Sequence, residues 1–277
     1  MTIYSFINNT FEPIETSFIH INNRGLLLAD GIFETLRVYN QKPFLLVNHL
    51  ERLEKSAKIL SIPFPKINFD TTINKLIDLN NFKDAIIRIT LTRGASQRGL
   101  SIQQCQEPVL IITCHPYQEI KMASYKCTIS SIKRNPTSPI ANMKTLSYMD
   151  NVIALIQAQE KGFDDALFLN IYDQPVCSTK GNIFIVHNHS IYTPSSSDGI
   201  LNGITRNTII ELIQDQKWPL YEQSLSYQQL IEADEIFMTN SVIEIQPITQ
   251  LDTKLLNNNF YSQKLKTLYK NYIENNL

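Results

Sequence analysis

The sequence predicts a mixed α/β (α+β) fold in two halves, on three observations. At 277 residues the chain is long enough for two domains or one large α/β domain. Stretches alternating with period two interleave with stretches of period 3.6, the mark of strands and helices in mixed layers. No internal repeat or low-complexity tract interrupts them.

The elements follow in order. Ile3–Ile7, an Asn8-Asn9 turn and Phe11-Glu12-Pro13 form a hairpin. Ile32–Tyr39 alternates apolar and polar residues, and Asn40–Pro43 turns it into a partner strand, Phe44–Val47. Leu50, Leu53, Ala57 and Leu60 then recur at a helical turn, so a helix follows with Arg52 near its start. A second helix covers 70–80, and Ala85–Thr92 is a β-branched strand ending in the loop Arg93–Gly99. Pro108–Thr113 is a strand, and His115–Ser124, broken by Pro116, reads as the interdomain connection. The expected division is 1–117, a linker at 118–124, and 125–277, which carries Lys144. The second half predicts strands at Tyr125–Ile132, Ala166–Ile171, Val176–Val186 and Glu235–Thr239, and a short hairpin at His187–Ser190. Helices are expected over about 147–161, 205–216 and 261–275.

Composition narrows the function. A net charge of -1 gives no reason to expect nucleic acid or an anionic membrane as partner. No apolar run is long enough to span a bilayer and the first ten residues lack a signal-peptide pattern, so a cytoplasmic location is expected. Cys105, Cys114, Cys127 and Cys177 are scattered and read as reduced thiols. The five histidines show no metal spacing.

Lys144 sits before a helix in an uncharged segment, Pro139–Met143. A lysine in an apolar pocket is an imine-forming nucleophile, but Lys144 taken alone reads as a solvated helix-start residue. Gly203-Ile204-Thr205 at a helix opening offers backbone N–H groups to a phosphate, and is equally an ordinary cap. Arg52 could grip a phosphate with its guanidinium, or be a surface arginine. Met238–Ser241 at a strand end offers further donors, or a polar turn.

The order of the pieces is more specific than any one of them. Arg24-Gly25, Ala29–Arg37, His49–Leu53 with Ser56, Thr92–Gly94, Lys144–Tyr148, Asn182–Phe184, Gly203–Arg206 and Thr239–Ser241 with Pro247 run nearly the whole length. Together they resemble the fold-type IV pyridoxal phosphate enzymes, which include branched-chain aminotransferases, D-amino acid aminotransferases and 4-amino-4-deoxychorismate lyases. The resemblance implies two α/β domains with the cofactor at their interface, in a homodimer. It implies that Lys144 bonds covalently to pyridoxal 5'-phosphate and then moves protons. It implies phosphate contacts from Arg52, Gly203, Ile204, Thr205 and Ser241, Leu201 on the cofactor ring and Tyr148 near its phenolic oxygen. Substrate contacts are implied from Phe33, Arg98 and Asn240.

One position departs from the family pattern. Five residues before Asn182 the family places a glutamate that pairs with the pyridine nitrogen, and here Cys177 stands there. A neutral thiol holds the ring proton poorly, which counts against transamination. The alternative is a small buried residue with another group serving the nitrogen. Arg98 resembles the arginine of D-amino acid aminotransferases and the Arg-Gly of the lyases, but Leu100 replaces the histidine usual in the former. The expected activity is 4-amino-4-deoxychorismate lyase, making 4-aminobenzoate and pyruvate for folate synthesis. The alternatives are an aminotransferase for D-alanine or branched-chain amino acids, and a cofactor-binding protein with little catalysis.

Overall fold

The computed structural model describes residues 2–119 and 124–277. It divides into two compact units, one of 1–119 with 143–147 and 277, the other of 120–142 with 148–276.

In the first unit β1 (Tyr4–Ile7), β2 (Thr10–Pro13), β3 (Gly31–Tyr39), β4 (Lys42–Pro43), β5 (Ala85–Thr92) and β6 (Val109–Pro116) form one sheet in the order β2-β1-β6-β5-β3-β4. Every pairing in it is antiparallel. The helices are α1 (Arg24–Leu28), α2 (Leu46–Ile59) and α3 (Phe69–Asn80). Leu46, His49, Leu53 and Ala57 of α2 are buried at helical spacing, as are Phe69, Ile73, Leu76 and Ile77 of α3. These apolar stripes share one core with Ile32, Leu36 and Val38 of β3 and Ile87 and Ile89 of β5. The alternate residues Ile86, Arg88 and Thr90 of β5 are half-buried on its other side.

Two expectations fail here. Phe44–Val47 is not a strand: Leu45 takes a left-handed conformation (φ 53°) and α2 begins at Leu46. Apolar character alone misread the first helical turn, and Arg52 consequently lies mid-helix. His115 and Pro116 belong to β6 rather than to the connection read from His115 onward. Of the expected linker at 118–124, residues 120–123 lie outside the described residues.

The segment 143–147 belongs to the first unit, whereas the expected division kept Lys144 with the second half. The cause is backbone pairing with β3. Phe33 N–H donates to the Lys144 carbonyl at 2.9 Å and Leu146 N–H to the Gly31 carbonyl at 2.9 Å, bracketing an Ile32–Thr145 bridge. A Cβ at Gly31 would sit 2.7 Å from Leu146 Cδ1 and 2.8 Å from the Leu91 carbonyl oxygen, so this approach requires glycine.

The second unit holds β7 (Lys126–Arg134), α4 (Met149–Glu160), β8 (Asp165–Asn170), β9 (Pro175–Ser178), β10 (Asn182–His187) and β11 (Ser190–Thr193). Then come α5 (Ile204–Asp215), β12 (Leu220–Glu222), α6 (Tyr227–Glu232), β13 (Glu235–Asn240), β14 (Glu244–Ile248), β15 (Gln250–Leu251), β16 (Lys254–Leu255) and α7 (Phe260–Asn275). The sheet runs β12-β11-β10-β9-β8-β7-β15-β16, with β13 on β10 and β14 on β13. The stretch Val176–Val186 is two antiparallel strands rather than one. Ser178 Oγ accepts from the Lys180 and Gly181 N–H groups, and Thr179 is bound by the buried carboxylate of Asp165. This side-chain-built turn carries no strong sequence signal before Gly181. No helix among the described residues is long and apolar enough to cross a membrane.

Candidate active site

Lys144 is half-buried in the first unit, with Nζ 4.2 Å from the centroid of the Phe33 ring. The backbone pairing with β3 fixes this approach, since Phe33 and Lys144 share a hydrogen bond. Arg88, from the neighbouring strand β5, lies over the same ring with its guanidinium carbon 3.7 Å from the centroid. Two cationic side chains therefore meet one aromatic ring, each such contact contributing about 0.5–2 kcal/mol. Sequence reasoning missed Arg88, although a lone charge in the otherwise uncharged strand Ala85–Thr92 was a usable signal.

Adjacent on β3, Glu34 is 1% exposed and binds two partners from α2. Arg52 grips it with both ends of the fork, Nε to Oε1 at 2.7 Å and Nη2 to Oε2 at 2.6 Å. His49 Nδ1 is 2.7 Å from Glu34 Oε2. Burial alone would raise the Glu34 pKa, but hydrogen bonds and charge from Arg52 and His49 outweigh it and hold the carboxyl at about 2. Burial lowers the His49 pKa, and the nearby charges of Arg52 and Lys144 add to that against the opposing pull of Glu34. A neutral His49 donating from Nδ1 to an ionised Glu34 satisfies both. Arg52 is thus aimed by Glu34 rather than solvated. Only His49 and Arg52 of this trio stood out in the sequence; the partner joining them did not.

Arg98 is an exposed side chain on the loop after β5. Arg24 holds that loop, donating to the Gly99 carbonyl at 3.0 Å and the Leu100 carbonyl at 3.3 Å.

In the second unit, Gly203 caps α5 with no side chain, leaving the helix N-terminus to be met by something other than its own residues. A Cβ at Gly203 would collide with Asn182 Oδ1, whose amide nitrogen donates to the Leu201 carbonyl at 2.8 Å. Asn182 thereby holds both Leu201 and the helix start. Ile204 and Thr205 follow, both buried, and Leu201 is half-buried. Asn182 also pairs with Thr239 of β13, whose hydroxyl is buried without a hydrogen-bond partner. An uncapped helix N-terminus and an orphaned hydroxyl suit a phosphate, and a lysine on an aromatic ring suits an aldehyde-bearing cofactor. Taken each within its own unit, these donors are of the kinds that pyridoxal phosphate uses.

Ser241 is half-buried in the turn after β13. Asn240 builds that turn: its Oδ1 accepts from Val242 and Ile243 N–H at 2.9 and 2.7 Å, and its Nδ2 donates to the Lys180 carbonyl at 3.1 Å. These bonds give Asn240 a structural role in the turn. Tyr148 is the residue at the N-cap of α4. Cys177 lies on β9 across from Asn182, partly accessible.

A sequence profile described as amino-transferase class IV matches residues 31–251. An aminodeoxychorismate lyase of Bacillus subtilis is 31% identical, the match covering 98% of this chain and 94% of the relative. A protein of Methanocaldococcus jannaschii, provisionally named a branched-chain-amino-acid aminotransferase, is 32% identical over 96% of this chain and 94% of its own length. A crystal structure from Legionella pneumophila, provisionally named a 4-amino-4-deoxychorismate lyase, superposes with TM-score 0.88 at 33% identity, covering 93% of this chain and 96% of that one. The profile spans most of the chain and the likeness extends over nearly all of it: this protein is an enzyme of the class IV aminotransferase family.

Proposed function

We propose that the protein is a pyridoxal 5'-phosphate-dependent 4-amino-4-deoxychorismate lyase, releasing 4-aminobenzoate and pyruvate. The observation that carries this reading is Cys177 across from Asn182, where the family pattern has a carboxylate. When bound, pyridoxal phosphate would hold the substrate's amine covalently and draw electrons from the carbon bearing it. Lys144 would hold the cofactor and carry the proton removed from that carbon. Loss of the enolpyruvyl oxygen makes the ring aromatic, and that gain lessens what the cofactor must supply.

Arg52, oriented by Glu34, and Gly203, Ile204, Thr205 and Ser241 would bind the phosphate, with Leu201 against the ring and Tyr148 near the phenolic oxygen. Phe33 would line the substrate site. Arg88, on the same ring as Lys144, is the cation suited to a substrate carboxylate. Arg98, exposed on its loop, would join only if the loop closed on substrate.

A second reading is an aminotransferase, favoured by the relative from Methanocaldococcus jannaschii. Incubation with chorismate, glutamine and the partner synthase separates the two. Release of 4-aminobenzoate is expected. Amino-acid-dependent bleaching of the cofactor band without that product would support the aminotransferase, and no response to either would leave a cofactor-binding protein.

A homodimer is part of the same proposal. Phe18 (81% exposed), Ile21 (74%) and Leu27 (59%), in and just before α1, are the exposed apolar side chains on which the proposal rests. Leu27→Asp is expected to shift the protein from dimer to monomer in sedimentation analysis. An unchanged dimer would place the interface elsewhere.

A further inference from the structure

Strand β9 sets Cys177 opposite Asn182 on one side and opposite Phe168 of β8 on the other. Arg134, at the end of β7, reaches the same place. Its guanidinium carbon lies 4.7 Å from the Phe168 ring centroid, its Nη2 donates to Asn151 Oδ1 at 3.1 Å, and its charge pulls against the rise in the Cys177 pKa. Asn151 donates in turn to the Thr179 carbonyl, tying the arginine to the turn that follows Cys177.

The other ionisable groups nearby do not restore a free negative charge. Asp165 is fully buried and bound to the Tyr125 hydroxyl at 3.0 Å and to Thr179, with Lys180 Nζ 4.0 Å away. Burial raises the Cys177 pKa and Asp165 adds to this, against the pull of Arg134, so the thiol is neutral at physiological pH.

We infer that Arg134 and Cys177 together keep the ring nitrogen of bound pyridoxal phosphate unprotonated. By the family pattern the thiol stands where a carboxylate would hold the proton, and the Arg134 guanidinium, over Phe168, the cross-strand neighbour of Cys177, opposes a second positive charge. The inference rests on the cofactor reading above and deepens it. A like charge disfavours the charged form of its neighbour, and an unprotonated ring withdraws electrons less. That weakens amino-group transfer to a 2-oxo acid more than an elimination drawn forward by aromatisation. Arg134 is a positioning residue here, acting through Cys177 and the local field.

The test is a nitrogen-15 NMR measurement on holoprotein loaded with ring-labelled pyridoxal phosphate. The wild type is expected to give a free-base shift across neutral pH. Cys177→Glu is expected to move the signal to the pyridinium position, and Arg134→Met to make it titrate. Should Arg134→Met fail to fold, Cys177→Glu and the wild type decide alone. A pyridinium signal in the wild type overturns the inference while leaving the cofactor reading intact. No bound label overturns both.

Discussion

Replacing Glu34 by alanine is expected to destabilise the protein by about 3–5 kcal/mol, because it leaves the half-buried Arg52 without its counter-charge and the buried His49 without its hydrogen-bond acceptor. Urea unfolding of wild type and variant measures the difference. The sign with pH follows from the folded carboxyl titrating at about 2 against an ordinary 4.5. A depressed carboxylate contributes stability that is complete above pH 4.5 and lost as pH falls toward 2, so the two proteins converge in acid. His49 adds to the acid loss in the wild type, since its lowered pKa makes protonation unfavourable in the folded state. A gap between wild type and variant that persisted undiminished at the acid end would mean that packing, not charge pairing, sets the value of Glu34.

Lys144→Ala is expected to remove the visible absorbance of a covalently held cofactor and to lower turnover by at least about 10²–10⁴-fold, the loss typical of a positioned acid/base. Spectra with added pyridoxal phosphate and product release under saturating substrate measure the two effects. Lys144 is half-buried and its backbone bonds to β3 survive the change, so the fold should persist. Retention of the wild-type band would show that another group holds the cofactor.

How much could be read from the sequence depended on which force fixes each feature. Strand β5 and helix α3 follow from side-chain periodicity, and both lie within a residue or two of expectation. The break between β9 and β10 does not, because Ser178 and Asp165 make it through tertiary hydrogen bonds. The start of α2 rests on the left-handed backbone at Leu45, invisible to an apolar pattern.

The same division runs through the site. Gly203 was singled out as a helix opening, and its crowding by Asn182 supplies the reason for glycine. Glu34, Arg88 and Arg134 owe their importance to partners distant in sequence, at His49 and Arg52, at Phe33, and at Asn151 and Cys177. The turn-building role of Asn240 was not legible either, because a turn-forming amide and a ligand-binding amide look alike until the hydrogen bonds are known.

The most direct measurement is product analysis after adding purified 4-amino-4-deoxychorismate to holoprotein with no amino donor or 2-oxo acid present. The lyase account predicts 4-aminobenzoate and pyruvate in equal amounts over many turnovers, with none from Lys144→Ala. An intact substrate, alongside steady formation of 2-oxo acid from D-alanine or a branched-chain amino acid when an acceptor is supplied, would contradict it.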